Sequence, residues 1–463
     1  MNVHLSTIAW PHRCSHEEIL SRWGSEPESA LITETHGALT TQWLFLNSIG
    51  DILIGEHTTA APSLERATIE QFFAFVDELG ASIVAPIPAL AGYLGYEALM
   101  RHHGVTTRRR PDGILGRYSL YSRIIEITSH GVREHTLSYD NLPSWVLPRC
   151  SSSTQSLPQP NYPSSITLDT VRTCLALPDP TTGLTHLFAD QPTLSAAHHQ
   201  TQVTTTQEMI RSGEVYQLNL SMHLSVLASL DPIALGCWLT GAGRSSQMAL
   251  LRWPDRLIAS ASPELFLRRD GATLTCRPIK GTRPRGRDPI EDRRNATELA
   301  QSPKDRAELS MIVDLVRNDL HRVCLPGSVQ VVAHATIEQH AFVHHTVSTI
   351  TGTISPDTTS FALWDSLFPS GSISGAPKIA ALRAIASLES HYRDVYCGAI
   401  GCFGGSYFAH HSVAIRTISA EHGVVSLWAG GGITIESDPA REYEECLWKL
   451  LTALQLLSTG TAA

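Results

Sequence analysis

The feature that most restricts the fold is a train of short strand-like runs in the later part of the chain. Residues 215–226, 248–253, 257–261, 264–268 and 273–277 form a first group, and 329–333, 342–354, 397–403, 412–418 and 424–429 a second. The runs are rich in apolar and β-branched residues, and turn residues such as Asp270-Gly271 separate them. Three long stretches in this part have helical spacing: 195–212, closed by Gly213, then 303–320 and 439–457. Many strands with few long helices predict an α+β body built on antiparallel sheets.

Residues 1–147 read as a mixed region. Positions 63–79 have helical spacing, with Phe72, Phe73, Phe75 and Val76 as apolar positions. A strand and tight turn follow at 91–97, and an alternating strand at 118–128. The polar, proline-punctuated stretch 148–165 reads as a linker or exposed loop, ahead of a second region at 195–457. With 42% hydrophobic and 17% charged residues, the chain is ordinary globular and can bury a sizeable core. A net charge of −9 argues against a nucleic-acid partner. Nine scattered cysteines without a Cys-x-x-Cys pair indicate reduced thiols, not a disulfide framework. The 22 histidines scatter too, and pairs such as His102-His103, His198-His199 and His410-His411 are expected at the surface. No signal-peptide pattern and no apolar run of membrane-spanning length occur, so a soluble cytoplasmic protein with no membrane partner is expected.

Lysine is scarce. Of 35 basic residues, four are lysines: Lys280, Lys304, Lys378 and Lys449. Arginine can replace lysine where charge alone is needed, but a guanidinium cannot supply a neutral amine. Lys280 lies among Arg277, Arg283 and Arg285, whose like charge would depress its pKa, the setting of a nucleophile. A solvated basic turn with one incidental lysine is the alternative.

On 303–320, Asp305 and Glu308 stand three residues apart and share a face, with Met311, Ile312, Leu315 and Val316 as the packing stripe. On 439–457, begun by Asp438 and Pro439, Glu442 and Glu445 repeat that spacing. Two helices with paired carboxylates could hold a hard divalent ion; plain solvated faces would look the same. Gly430, Gly431 and Gly432 follow a strand and would let backbone N–H groups approach an anion, or simply turn the chain. Residues 369–378 open a helix whose N-terminus suits an anion, without the Walker A pattern of a nucleotide loop. Arg416 is a lone arginine in an apolar strand, and if buried it needs an anionic partner.

In combination these blocks resemble the chorismate-binding enzymes. That family includes component I of anthranilate synthase and of aminodeoxychorismate synthase, and the isochorismate and salicylate synthases. The resemblance rests on 260–264, 277–286, 305–322, 345–348, 371–378, 414–417 and 430–445, matched in order and spacing. Residues 1–147 resemble the family's variable first region more weakly, chiefly through 92–97. The resemblance implies large antiparallel sheets packed as a sandwich with flanking helices. Lysine at position 280 resembles the aminodeoxychorismate synthase branch, where anthranilate synthases usually carry alanine; residues 213–220 are also similar to that branch. Ile32-Thr33-Glu34-Thr35 only loosely resembles the family's tryptophan-binding segment.

The resemblance also implies roles. Glu308 and Glu445 would hold Mg²⁺ against the ring carboxylate of chorismate, with Asp305 and Glu442 orienting the ion's waters. Arg416 and the amides of Gly430, Gly431 and Gly432 would hold the side-chain carboxylate. Gly281 and Thr282 would line the site, and His345 would position the ring near C4. Lys280 would attack C2 as the C4 hydroxyl leaves, protonated by Glu264. Ammonia would then attack C4 and expel the lysine, giving 4-amino-4-deoxychorismate for p-aminobenzoate and folate biosynthesis. No Gly-x-Cys-x-Gly motif surrounds any cysteine, so ammonia is expected from free ammonium or from a glutamine amidotransferase subunit in a heterodimer. The alternatives are anthranilate synthase component I, isochorismate synthase, whose lysine base lies in another block, and, from a different class, a non-catalytic chorismate or tryptophan sensor.

Overall fold

The computed structural model describes residues 2–9, 29–36, 39–55, 67–143 except 109, 111 and 129, 146–148, 166–240 except 177, 178, 190 and 192, and 245–460 except 406. The expected linker, from 149 to 165, lies outside the described residues, as does the start of the helical stretch at 63–66.

The first part supplies β1 (Asn2–Ala9), β2 (Ser29–His36), β3 (Leu39–Gly55), α1 (Ile69–Ser82), β4 (Pro88–Leu94), β5 (Ile114–Thr128) and β6 (Gly131–Asp140). After α2 (Ala196–Arg211) come β7 (Gln217–Leu227), β8 (Gln247–Arg252), β9 (Arg256–Ser262), β10 (Leu265–Asp270), β11 (Thr273–Arg277) and β12 (Ile279–Pro284). Helices α3 (Pro289–Gln301) and α4 (Pro303–His321) lead to β13 (Gln330–Gln339) and β14 (Val343–Thr353). A 3-10 turn (Gly371–Ile373) and α5 (Lys378–Leu388) precede β15 (Ala399–Gly404), β16 (Phe408–Val413), β17 (Thr417–Glu421), β18 (Val424–Ile433) and α6 (Pro439–Gly460).

These strands join into one antiparallel sheet in an α+β fold. Its path runs β7–β18–β17–β9–β8–β2–β3–β5. From β5 it continues β4–β15–β16–β10–β11–β14. β12 and β13 also pair with β14, and β6 and β1 extend from the other part of β5. Strands from 1–147 are therefore integral to the sheet. The sheet bends back on itself, because β18 near one end faces β12 near the other. A Cβ on Gly432 would lie 3.6 Å from the Lys280 amine.

Local chemistry fixes the helices that matter. Asp438 accepts from the amides of Ala440 and Arg441 at 3.0 and 2.9 Å and starts α6. Tyr443, Cys446, Leu447, Leu450, Leu451 and Leu454 recur at helical spacing and pack α6 on β7 and β18. Ser302 caps α4 by accepting from the Asp305 amide at 3.3 Å. The buried stripe of α4 is Leu309, Ile312, Val313, Val316 and Leu320, so the expected stripe is rotated. Met311 and Leu315 are only half-buried.

Three expectations change. The run 412–418 is not one strand: β16 pairs with β10 and β17 with β9, and the chain turns between them at 414–416. Arg416 sits in that turn with a left-handed φ of 51°. Second, the three glycines at 430–432 do not follow a strand but complete β18, paired with Ser221, Leu220 and Asn219 of β7. Third, of the histidines expected at the surface, His199, His410 and His411 are buried, and the consecutive His344 and His345 are buried as well. Neighbouring strand residues point to opposite faces, so two consecutive buried histidines require a sheet covered on both sides. Tyr118 lies 2.9 Å from His411 and Gln247 lies 2.8 Å from His410.

Among the described residues, Cys276, Cys324, Cys397, Cys402 and Cys446 are free and buried. No helix among them is long and apolar enough to cross a membrane.

Candidate active site

The hairpin at Asp270-Gly271 brings β10 against β11 and pairs Leu265 with Arg277. Glu264 stands just before this ladder and Lys280 just after it. In the pairing of β12 with β14, Lys280 opposes Thr346 and Thr282 opposes His345, so Gly281 is an extra residue, a β-bulge. Gly281 has φ +80°, and a Cβ there would come within 2.9 Å of Asp305 and Leu299. Only glycine suits this backbone, and the bulge turns Lys280 inward. The Lys280 amine donates to the Ser372 carbonyl at 3.2 Å.

Burial holds the Lys280 amine below its ordinary pKa, although the carboxylates of Glu308 and Glu264 favour its charge. The flanking arginines are not the cause. Arg277 pairs with Glu338, Arg285 with Asp292 at 2.7 Å, and Arg283 with Glu298 and Asp305 at 2.9 and 3.2 Å. Glu264 is 4% exposed. Burial pushes its carboxyl up to about 7, against a hydrogen bond from Ser372 and the charge of Lys280. A buried acid near neutrality coupled to an easily neutralised amine can supply a general acid and a nucleophile.

The two acidic helix faces meet nearby. Burial raises the Glu308 carboxyl, opposed by Lys280 and Lys304 and reinforced by Asp305 and Glu445. Burial also raises Glu442, which accepts from the Ser437 hydroxyl at 2.7 Å. Burial would raise Glu445 too, but the Lys449 ammonium at 2.8 Å holds it below its ordinary value. Lys449 also donates to the Gly430 carbonyl at 2.6 Å, and Lys304 lies 3.9 Å from Glu308. Glu308 and Glu445 are the residues here that could share a hard cation. Lys304 and Lys449 escaped the sequence reading as site residues, although each stands four positions from a candidate ligand glutamate. Ser372 and Arg283 escaped it as well.

On the opposite flank, Thr282 lies 2.9 Å from Nδ1 of His345. Burial and the charge of Arg416 push His345 down to about 3, so it is a neutral imidazole. The Arg416 guanidinium has no acidic partner among the described residues, and solvent reaches it. The side chain is exposed, and the protein packed around it lowers its pKa by desolvation. β17 pairs with β18 only as far as Leu427, so the edge at Gly430–Gly432 is not covered by β17. Glu34, in the segment loosely similar to a tryptophan site, is engaged by Arg268 at 2.7 Å.

The family model for chorismate binding enzyme matches residues 29–455. Aminodeoxychorismate synthase component 1 of Escherichia coli is 41% identical over 251 residues, 54% of this chain and 55% of that protein. Anthranilate synthase component 1 of Haloferax volcanii is 38% identical over 274 residues, 58% of this chain and 52% of that one. The chain thus spans about half the length of these two relatives. Anthranilate synthase component 1 of Streptomyces coelicolor is 34% identical over 401 residues, 83% of this chain and 76% of that one. Among solved structures, anthranilate synthase component I from Streptococcus pneumoniae superposes with a TM-score of 0.66 at 24% identity, over 91% of this chain and 93% of that one. The menaquinone-specific isochorismate synthase of Escherichia coli gives 0.70 at 15% identity, over 99% and 95%. Both share the fold. The chain belongs to the chorismate-binding enzyme family, by a match that takes in most of its length.

Proposed function

We propose that the chain is component I of an aminodeoxychorismate synthase, a cytoplasmic enzyme that converts chorismate and ammonia to 4-amino-4-deoxychorismate. The observation that carries this reading is the Lys280 amine, lowered in pKa and electrostatically coupled to the buried acid Glu264. Neutral Lys280 attacks C2 of chorismate, the C2–N bond forms, and both double bonds of the diene shift, C1=C2 to C1=C6 and C5=C6 to C4=C5, as the C4–O bond breaks. Glu264 gives its proton to the departing hydroxyl, which leaves as water. Ammonia then attacks C4, both double bonds shift back, and the C2–N bond to Lys280 breaks. Arg416, with the uncovered edge at Gly430, Gly431 and Gly432, holds the side-chain carboxylate, while His345 and Thr282 position the ring.

Glu308 and Glu445 fit Mg²⁺ as hard oxygen donors, and the lysines beside them reflect the same demand for positive charge. When bound, the ion neutralises the ring carboxylate. Among the described residues, no three acidic, histidine or cysteine side chains are close enough to hold a metal alone, so substrate and water complete its shell. Asp305 and Glu442 would orient the ion's waters. Ammonia comes from a partner glutamine amidotransferase.

Anthranilate synthase component I is the second reading, because relatives with that name match at similar identity. Incubating the purified chain with chorismate, Mg²⁺ and ammonium separates the two. Aminodeoxychorismate retains the pyruvyl group; fluorescent anthranilate with released pyruvate would overturn the first reading.

A further inference from the structure

One buried guanidinium ties together the two segments that meet the Lys280 amine. The first segment is the 3-10 turn, whose Ser372 carbonyl accepts from that amine at 3.2 Å. The second is the β7–β18 pair, in which Asn219 opposes Gly432, and a Cβ on Gly432 would lie 3.6 Å from the amine. Arg393, in the connection from α5 to β15, is 1% exposed. Its Nη1 donates to the Ile373 carbonyl at 3.1 Å, and its Nη2 to the Asn219 carbonyl at 2.7 Å. The buried Glu389 carboxylate accepts from the same guanidinium, from Nε at 2.9 Å and from Nη2 at 2.7 Å. Glu389 also accepts from the Ser221 amide and hydroxyl, both at 2.8 Å, and Ser221 opposes Gly430. Glu97, in the turn after β4, holds the Arg393 and Asp394 amides at 2.7 and 3.1 Å. The guanidinium itself lies over the Tyr96 ring, 4.5 Å from its centroid.

We propose that Arg393 is a positioning residue for the Lys280 amine, acting through the Ile373 and Asn219 carbonyls that it holds. The inference rests on the reading of Lys280 as nucleophile. A planar fork of N–H donors serves one carboxylate and two carbonyls at once, which a compact ammonium cannot do. Net stability does not demand the arrangement, because apolar side chains of similar volume commonly match a buried ion pair. What the fork supplies is registry. The turn and the strand pair can slide past each other only by breaking charge-assisted hydrogen bonds. Both segments border the amine, so such a slide would move it relative to the substrate. A misplacement of about 1 Å at a reacting group costs about a hundredfold in rate.

The test uses the full chain with chorismate and Mg²⁺. Without ammonium, intact mass of quenched samples follows formation of the Lys280 adduct; with ammonium, steady-state rates give kcat and KM. Arg393→Lys keeps a charge opposite Glu389 but loses the fork. Adduct formation and kcat should both fall about a hundredfold, with KM for chorismate within about twofold of wild type. Glu389→Gln keeps the side-chain shape and one acceptor oxygen but loosens the grip on the guanidinium. It should lose about tenfold with the same split, and it decides the matter where Arg393→Lys does not fold. Gly271→Ala, strained in an open turn, controls for lost stability alone and should keep full turnover. In a Lys280→Ala background, Arg393→Lys should lower the residual rate by less than about twofold, since both changes act through one group. An adduct formed at the wild-type rate in either folded variant overturns the proposal. So does a further hundredfold loss in the absence of Lys280. A wild type that forms no adduct on Lys280 overturns the reading of Lys280 as nucleophile instead.

Discussion

Replacing Gly281 with alanine tests the bulge that aims Lys280. The backbone at Gly281 is left-handed, φ +80°, and an added Cβ would meet the Asp305 Cβ and Cγ and the Leu299 Cδ1, each at 2.9 Å. A side chain in the left-handed region costs about 1–2 kcal/mol. Overpacking adds about 1–3 kcal/mol, because neither neighbour moves freely. Arg283 holds the Asp305 carboxylate at 3.2 Å, Ser302 holds its amide at 3.3 Å, and Leu299 is fully buried. Gly281→Ala should therefore lose about 2–5 kcal/mol in urea unfolding at constant m-value. The control is Gly271→Ala, with φ +59° and nothing within 4 Å of its Cβ, so it carries the backbone cost alone. It should lose about 1–2 kcal/mol and keep full turnover. Gly281→Ala should also lose turnover at least about tenfold, as the amine is turned away from the substrate. Equal losses of stability in the two variants would refute the packing argument, and undiminished turnover in Gly281→Ala would refute the aiming role of the bulge.

Lys280→Ala and Lys280→Arg should both lose turnover by about a thousandfold or more while still binding chorismate, since a guanidinium keeps its proton. Intact mass of enzyme quenched during turnover should show an adduct on the wild type alone. For Glu264, a folded-state pKa raised from 4.5 to about 7 means that its contribution to stability is complete below about pH 4.5 and lost as pH rises through about 7. Glu264→Gln should remove that slope, gain up to about 3 kcal/mol over wild type at pH 8 in denaturant unfolding, and lose turnover at every pH. Glu308→Gln should raise the Mg²⁺ concentration needed for half-maximal turnover about tenfold or more, and EDTA should abolish wild-type turnover reversibly. Lys378→Arg should lose about 2–4 kcal/mol despite keeping its charge, because the buried ammonium meets Asp319 at 2.6 Å and the Leu367 and Ser366 carbonyls at 2.9 and 3.2 Å, a geometry a planar guanidinium does not fit; urea unfolding checks it.

The strand runs and the acidic helices were legible because each carries its own period: two for Thr273–Arg277, and three to four for the faces bearing Glu308 and Glu445. What was not legible depends on which strand lies alongside. Residues 412–418 are apolar on both sides of the break, and the turn exists only because β16 and β17 serve different neighbours. Glycine disfavours strands intrinsically, yet Gly430–Gly432 remain in β18 because β7 pairs with them and because Gly432 faces Lys280 too closely for a bulky side chain. Like reasoning explains why the depressed pKa of Lys280 was expected with the wrong cause. The arginines beside it in sequence point to acids of their own, and burial by distant segments does the work. Lysine scarcity was the most telling signal, and the structure extends it. Lys280, Lys304 and Lys449 all influence the carboxylates of the candidate site, and Lys378 anchors the helix that follows the Ser372 turn. A chain that uses arginine almost everywhere else keeps lysine for places where a compact or neutralisable amine is needed. Its composition therefore points to the candidate site ahead of any motif.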